Sequence, residues 1–309
     1  MSAPTVTVVI RTTGEAERVP LLLRSIPSAL SQADVDVTLV LVVNGASFDA
    51  EFFCRAQHDE RISVFYIDKR DSAIATTVGR SLVSGSFFSF IDDDDEFLPN
   101  ALRSRIAYLL EDPTVDCLAT NGYYFTQGTR RHVFPDVRMF HDDYVLPLLC
   151  GKNWMASNGA TFRTRTVGQK YFDNVSQHCE WTLIAFRVAL ERRVRFVPEM
   201  TFNVYDTPGS SSKDPRYVQG VAEMFALMLR EQPPARYLPY IKREYMRSLH
   251  CVCSYARING DWETAWRYYR ATLAQRAGWK YLPYAALLLA KYRRPARDLW
   301  PLKGIGASW

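Results

Sequence analysis

Residues 35–45 read VDVTLVLVVNG, an almost unbroken run of β-branched residues and leucine that ends in Asn-Gly. The run is too short and too evenly apolar for an amphipathic helix. It fits a strand buried on both faces, followed by a turn. A strand of that kind needs a covering layer on each side, which commits the chain to a sheet between helices. The flanking sequence supplies both parts. TVTVVI (5–10), ISVFYI (62–67) and SFFSFI (86–91) read as three more strands. Residues 15–31, 71–85 and 98–112 read as helices between them. Pro27 is expected to kink or end the first helix, Gly85 to close the second, and Pro99 to sit in the first turn of the third. Strand and helix alternate with short connections, so the expected class is α/β. The sheet should be mostly parallel and Rossmann-like, flanked by helices.

In such sheets ligands bind beyond the carboxyl ends of the strands. Asn44 lies at one such end. At another, SFFSFIDDDDEFLPNAL (86–102) carries a strand straight into Asp92, Asp93, Asp94, Asp95 and Glu96. Adjacent carboxylates repel one another. Either water solvates them on an idle turn, with Asp95 capping a helix that starts near Phe97, or a cation belongs among them.

Composition narrows the classes. The chain has 309 residues and 48% apolar content, enough for a full core and for one large domain with an appendage. Its six cysteines form no CxxC pair and no ladder of spacings, so they are read as reduced thiols in a cytoplasmic setting. SAPTVTVVI already reads as a strand, so no leader is expected, and no apolar stretch reaches the ~18 residues of a membrane span. From Arg230 onward there are 15 Lys and Arg against 5 Asp and Glu, a net +10; the residues before carry 23 against 28. That basic segment also holds Trp262, Trp266, Trp279, Trp300 and Trp309, five of the seven tryptophans. Cations among aromatics suit a peripheral contact with an anionic membrane surface, although a solvated basic face, oligomer packing or a partner enzyme would use the same residues. Nucleic acid is not expected, since no base-reading module is present.

Residues 115–210 are less regular. VDCLATNGYYFT and SNGATFRT read as strands, 178–193 as a helix, and RFVPEMTFNVY as extended chain. PGSSSKDP (208–215) is a loop long enough to move. Helices are expected at 214–231, 236–258, 261–276 and 280–292. The third has Trp262, Ala265, Trp266 and Tyr269 on one face, like half of a tetratricopeptide repeat, but no second copy follows at a ~34-residue period. His141, Asp142 and Asp143 lack a partner at metal-ligand spacing and read as a solvated turn. Arg163 and Arg165 could meet phosphate or simply the solvent face of a sheet.

Four stretches, in order, resemble the family 2 glycosyltransferases, which have the GT-A fold. VTVVIRTTG is similar to that family's VSVIIPTYN, and LVLVVNGAS stands in the place of IVVDDGS. GRSLVSGSFFSFIDDDDEFLP resembles GLxxAxGEYIxFLDxDDxxxP, and FDNVSQHCEWTL resembles FxxxxxxxEDWDL. YDTPGSSS falls where members carry a tyrosine and a serine-containing loop. The resemblance spans roughly residues 4–212. It implies a GT-A domain over 1–213, with 1–114 binding the nucleotide sugar and 115–213 the acceptor, followed by a basic, aromatic-rich helical region over 214–309.

The function it implies is metal-dependent, inverting transfer of a sugar from a UDP-, GDP- or dTDP-sugar to a hydroxyl of a glycan or lipid-linked acceptor, in surface polysaccharide synthesis. The cofactor would be Mn²⁺ or Mg²⁺. Asp92 and Asp93 fall on the donor side; Asp92 would face the ribose or base, and Asp93, at the variable position, would turn away. Asp94 and Asp95 would serve the metal. Thr12, Thr13, Asn44 and Asp68 would line the nucleotide. Glu180 would be the general base, with His178 as a competitor, and Asn158, Trp181 and His178 would border the acceptor. Ser210, Ser211 and Ser212 would form a lid that excludes water.

The departures from the family pattern are specific. Arg11 stands where proline is usual, Asn44 where an aspartate contacts the base, Thr76 and Thr77 where Arg-Asn is common, and Cys179 in place of the glutamate of the ED pair. Two alternatives stay open. One is a non-catalytic module on the same fold, binding glycan or a partner. The other is a sugar nucleotidyltransferase, which would need a Gly-rich, Lys/Arg-bearing loop where this chain has RTTGEAER.

Overall fold

A computed structural model describes residues 3–138, 140, 143–207 and 214–292. The elements run β1 (Thr5–Thr12), α1 (Val19–Leu30), β2 (Asp36–Asn44), α2 (Ala50–Ala56), β3 (Ile62–Ile67), α3 (Ser72–Ser81), β4 (Phe87–Asp92), β5 (Glu96–Phe97) and α4 (Ala101–Glu111). They continue with β6 (Cys117–Thr126), β7 (Thr129–His132), α5 (Val145–Leu149), β8 (Ala160–Arg163), α6 (Glu180–Glu191) and β9 (Val194–Tyr205). The described chain closes with α7 (Tyr217–Arg230), α8 (Leu238–Asn259), α9 (Trp262–Leu273) and α10 (Ala285–Leu289).

The strands form one sheet in the order β3-β2-β1-β4-β8-β6-β9-β5, with β7 beside β6. The β1–β2, β1–β4, β2–β3 and β6–β9 pairings are parallel and six to eight residue pairs long. The antiparallel pairings of β8 with β4 and β6, of β5 with β9, and of β7 with β6 cover only two to four pairs each. The apolar run at 36–44 is a central strand, buried from Leu39 to Asn44, as two covered faces require. Helix α3 lies close on the sheet because Gly79 has no side chain. A Cβ there would come within 2.5 Å of Val9, with Phe90 and Val42 close behind. Helices α7 and the start of α8 join the same core through Val221, Met224, Phe225, Met228 and Ile241.

Some boundaries differ from the sequence reading. Helix α1 passes through Pro27 and runs on to Leu30, with the Ser31 N–H closing onto the Pro27 carbonyl. Helix α3 stops at Ser81, and Gly85 has a different use: a Cβ there would meet the Thr7 backbone nitrogen at 2.8 Å, so glycine allows the chain to pass β1. Helix α4 begins at Ala101 after a left-handed Asn100, because Glu96 and Phe97 are drawn out as β5 against β9. The stretch expected as a helix over 280–292 is a 3₁₀ segment at Gly278–Tyr284 followed by the short α10, with Pro283 inside the former. The aromatic face of α9 is core: Ala265 and Tyr269 are buried with Cys253, Ala256 and Leu288.

Candidate active site

Successive side chains of a strand point to opposite faces, and β4 ends by sending Asp92 and Asp93 to different arginines. Asp92 accepts from Arg11 Nη2 at 2.8 Å through Oδ1 and from Ser157 Oγ at 2.8 Å through Oδ2. Asp93, expected to turn away, is buried and takes both oxygens to Arg18, whose Nε lies 2.9 Å from Oδ2. A buried carboxylate without such a partner would be costly. Asp95 does not cap a helix. Its Oδ1 accepts from the Tyr205 N–H at 3.0 Å and its Oδ2 from the amide of Asn158, which pins the acidic turn to β9 and to the segment before β8. Burial first, then Asp94 and Asp92, hold its pKa well above the ordinary carboxylate range. Asp94 accepts from the Thr207 hydroxyl through Oδ2, with Arg18 Nη2 at 3.4 Å from that oxygen. Its pKa is also raised, by burial and then by Asp93 and Asp92.

Asn158 was expected to border an acceptor. It is 1% exposed and acts inside the protein: Oδ1 accepts from the Asp92 N–H at 2.9 Å while the amide reaches Asp95. Behind it, Arg105 is fully buried and donates to the Asn158 carbonyl at 2.6 Å and to Thr201. Burial pulls the Arg105 guanidinium down to about 9. No feature of the sequence marked Arg105, which shares α4 with the exposed Arg103.

Glu180 opens α6 and is 5% exposed. Its Oε1 accepts from the Ser72 hydroxyl and lies 4.0 Å from Arg11 Nη1. Trp181 packs edge-on to Phe90 at 5.0 Å, while its ring faces the Arg11 guanidinium at 5.6 Å. Arg11 also donates to Thr76 Oγ1 at 2.7 Å, so two of the departures from the family pattern touch each other. Cys179 is buried against Tyr217, and burial pushes its thiol up. His178 has a left-handed backbone (φ 70°), and both of its ring nitrogens are buried without a hydrogen-bond partner among the described residues.

Of the residues expected along the nucleotide, Thr12 and Asn44 end adjacent strands and are buried, with Thr12 Oγ1 accepting from the Gly14 N–H at 3.0 Å. Thr13 turns to Glu15, and Asp68 is exposed beyond β3. Ser210, Ser211 and Ser212 lie outside the described residues, as do His141 and Asp142. Asp143 accepts from the N–H groups of Val145 and Leu146 and from the Tyr237 hydroxyl, so it is a tied turn more than a solvated one. Arg163 donates to the carbonyls of Leu109 and Val115, a structural role, and Arg165 is exposed.

The profile of glycosyl transferase family 2 matches residues 7–172, more than half of the chain. The chain belongs to glycosyl transferase family 2. An uncharacterized glycosyltransferase of Rickettsia bellii is 27% identical over 95 residues, a stretch that is 30% of this chain and 14% of that protein. Among solved structures, S. aureus TarS 1–349 in complex with UDP-GlcNAc superposes with a TM-score of 0.63 at 14% identity, covering 93% of this chain and 88% of that one. The mannosyltransferase PcManGT from Pyrobaculum calidifontis, in complex with GDP-Man and Mn²⁺, gives 0.53 at 20% identity, covering 93% and 79%. These structural likenesses are of fold, and the fold of this glycosyltransferase is GT-A.

Members of such a fold commonly hold a divalent cation, and the residues here can be tested for one. Among the described residues no group of three His, Cys, Asp or Glu could cage a metal ion. Asp92, Asp93 and Asp95 each have both oxygens engaged by protein donors. Asp94 Oδ1 has no hydrogen-bond partner among the described residues. A single carboxylate oxygen fits a cation that takes its other ligands from phosphate and water. The glycosyltransferase site therefore fits a metal delivered with the donor and does not fit a preformed all-protein cage.

Proposed function

We propose that this glycosyltransferase moves a sugar from a nucleotide-sugar donor to a hydroxyl of a glycan or lipid-linked acceptor, with inversion, in the building of a surface polysaccharide. One observation carries the reading. Asp92 at the end of β4 and Glu180 at the start of α6 are linked across the sheet mouth by Arg11, which supports reading them as the donor side and the base of one site. The nucleotide would lie over the ends of β1 and β2, beside Thr12, Thr13 and Asn44. The Asn44 amide both donates and accepts, so it can read a base edge that an aspartate could not. UDP-, GDP- and dTDP-sugars are the candidate donors; TarS with UDP-GlcNAc and PcManGT with GDP-Man support the class.

Asp94 would hold Mn²⁺ or Mg²⁺, with Asp95 locked behind it as the brace of the turn. When bound there, the cation would act as a Lewis acid on the departing diphosphate. Glu180 takes the proton of the acceptor hydroxyl as its oxygen bonds to the anomeric carbon and the bond to the diphosphate breaks. A positioned carboxylate typically contributes ~10²–10⁴-fold. The reading divides the chain at residue 213, with donor chemistry before 114, acceptor contacts to 213, and a helical region beyond that meets an anionic membrane surface.

The test is thermal unfolding against UDP-, GDP- and dTDP-sugars with and without Mn²⁺. A ligand at 100 times its dissociation constant stabilises the fold by ~2.7 kcal/mol. One nucleotide class should raise the melting temperature in a Mn²⁺-dependent way, and Asp94→Ala should abolish that shift. A wild-type protein that responds to no donor, or an Asp94→Ala protein that responds as well as wild type, would overturn the reading.

A further inference from the structure

Arg11 reaches both sides of the proposed site, Asp92 and Glu180. It is the penultimate residue of β1, and its side chain is largely buried. Both terminal nitrogens of its planar fork are engaged: Nη2 lies 2.8 Å from Asp92 Oδ1, and Nη1 lies 2.7 Å from Thr76 Oγ1 and 4.0 Å from Glu180 Oε1, while Nε is buried without a hydrogen-bond partner among the described residues. The indole of Trp181 faces it at 5.6 Å and limits where it can move. A guanidinium offers several donors at fixed angles, so it can hold two carboxylates in a set relation where a lysine ammonium supplies one point charge. Burial opposes the charge of Arg11, and Asp92 and Glu180 more than restore it.

The two oxygens of Glu180 are not equivalent. Oε1 takes the Ser72 hydroxyl and faces Arg11. Oε2 has no hydrogen-bond partner among the described residues, and it is not sealed from solvent as a buried orphan would be. The carboxylate is thus held by one oxygen with the other presented.

We propose that Arg11 is a positioning residue: anchored on Asp92, it fixes Oε1 of Glu180 so that Oε2 is the atom that takes the acceptor proton. This rests on the reading of Glu180 as base. It adds that the donor-side carboxylate and the base are mechanically one unit.

The experiment uses the full chain and the nucleotide sugar that gives the largest melting shift. The readout is slow hydrolysis to nucleoside diphosphate, with water as the acceptor, so the natural acceptor need not be known. Arg11→Met should lower kcat by about 10²-fold while the donor KM changes by less than about threefold. On a Glu180→Gln background the same substitution should cost less than about threefold, because the group it positions is gone. Arg11→Lys should keep the melting temperature near that of wild type and still lose most of kcat, which separates positioning from folding if the methionine variant unfolds. Equal losses in both backgrounds, a loss confined to KM, or a fully active Arg11→Lys would each overturn the assignment while leaving the base reading intact. A wild-type protein that hydrolyses no donor, or a Glu180→Gln protein as active as wild type, would overturn both.

Discussion

Asn158 braces the acidic turn through its side-chain amide, which receives the Asp92 N–H and donates to Asp95, while its backbone carbonyl is held by Arg105 of α4. Removing a buried partner of that kind leaves groups unsatisfied, at about 1–3 kcal/mol each. Asn158→Ala should therefore lower stability by about 3 kcal/mol in chemical denaturation and weaken the donor-induced melting shift, since the acidic turn loses its brace. An unchanged midpoint and an unchanged shift would show the brace to be idle. At this scale the sequence was half legible. A run of carboxylates at the end of an apolar strand announces itself, and so did Glu180 before an apolar helix. Their partners did not. Arg18 lies 75 residues from Asp93 along the chain, and Ser72 lies 108 from Glu180; no local pattern carries a pairing that only the folded sheet creates.

At the scale of elements, α7 shapes the loop that carries Glu180. Gly220 packs so close that a Cβ would lie 2.5 Å from the Gln177 carbonyl oxygen, and its own carbonyl receives the Ser176 hydroxyl at 2.9 Å. The neighbouring His178 is held with positive φ, a conformation that a non-glycine residue keeps only when its surroundings impose it. Gly220→Ala should push the 176–180 segment outward. The expected result is a loss of turnover of about 10²-fold with donor binding retained, read by the same hydrolysis assay and melting shift. Turnover equal to wild type would show that α7 merely covers the core. The first four strands were read to within a residue or two at each end, because apolar period and burial agree there, while β5 and β7 were not read. Helix ends were read less well. Gly85 looked like a helix stop and is a contact with β1, and Pro27 looked like a break and is tolerated three residues before the end.

Across the whole molecule, the order of elements was legible, while the return strands of the second half, β6 to β9, were read only in part. Their pairings run between distant segments, with irregular register between β6 and β9. Distal to the main core, the segment 278–292 exposes Trp279 at 65% and Leu289 at 73%, with Leu282 and Tyr292 also open to solvent and Lys280 and Lys291 beside them. No described helix is long and apolar enough to cross a membrane. Flotation with phosphatidylserine vesicles at low salt should carry the protein upward, and a Trp279→Ser, Leu289→Ser variant should float several-fold less. A wild-type protein that stays at the bottom of the gradient would remove the membrane from its partners.

The pairing of Asp92 with Arg11 and of Asp93 with Arg18 also alters what an approaching ligand meets. Arg24 adds a third guanidinium, donating to the Asp94 carbonyl and stacked 3.9 Å from the centre of the Tyr205 ring. Five consecutive acidic residues would by themselves project a field that repels a diphosphate. Here three guanidinium cations are packed into the same turn and offset three of those five charges, so the field beyond the turn is much weaker than the bare run would give. Association with a polyanionic donor is then opposed less than the bare carboxylates would oppose it, and its rate should depend only weakly on ionic strength.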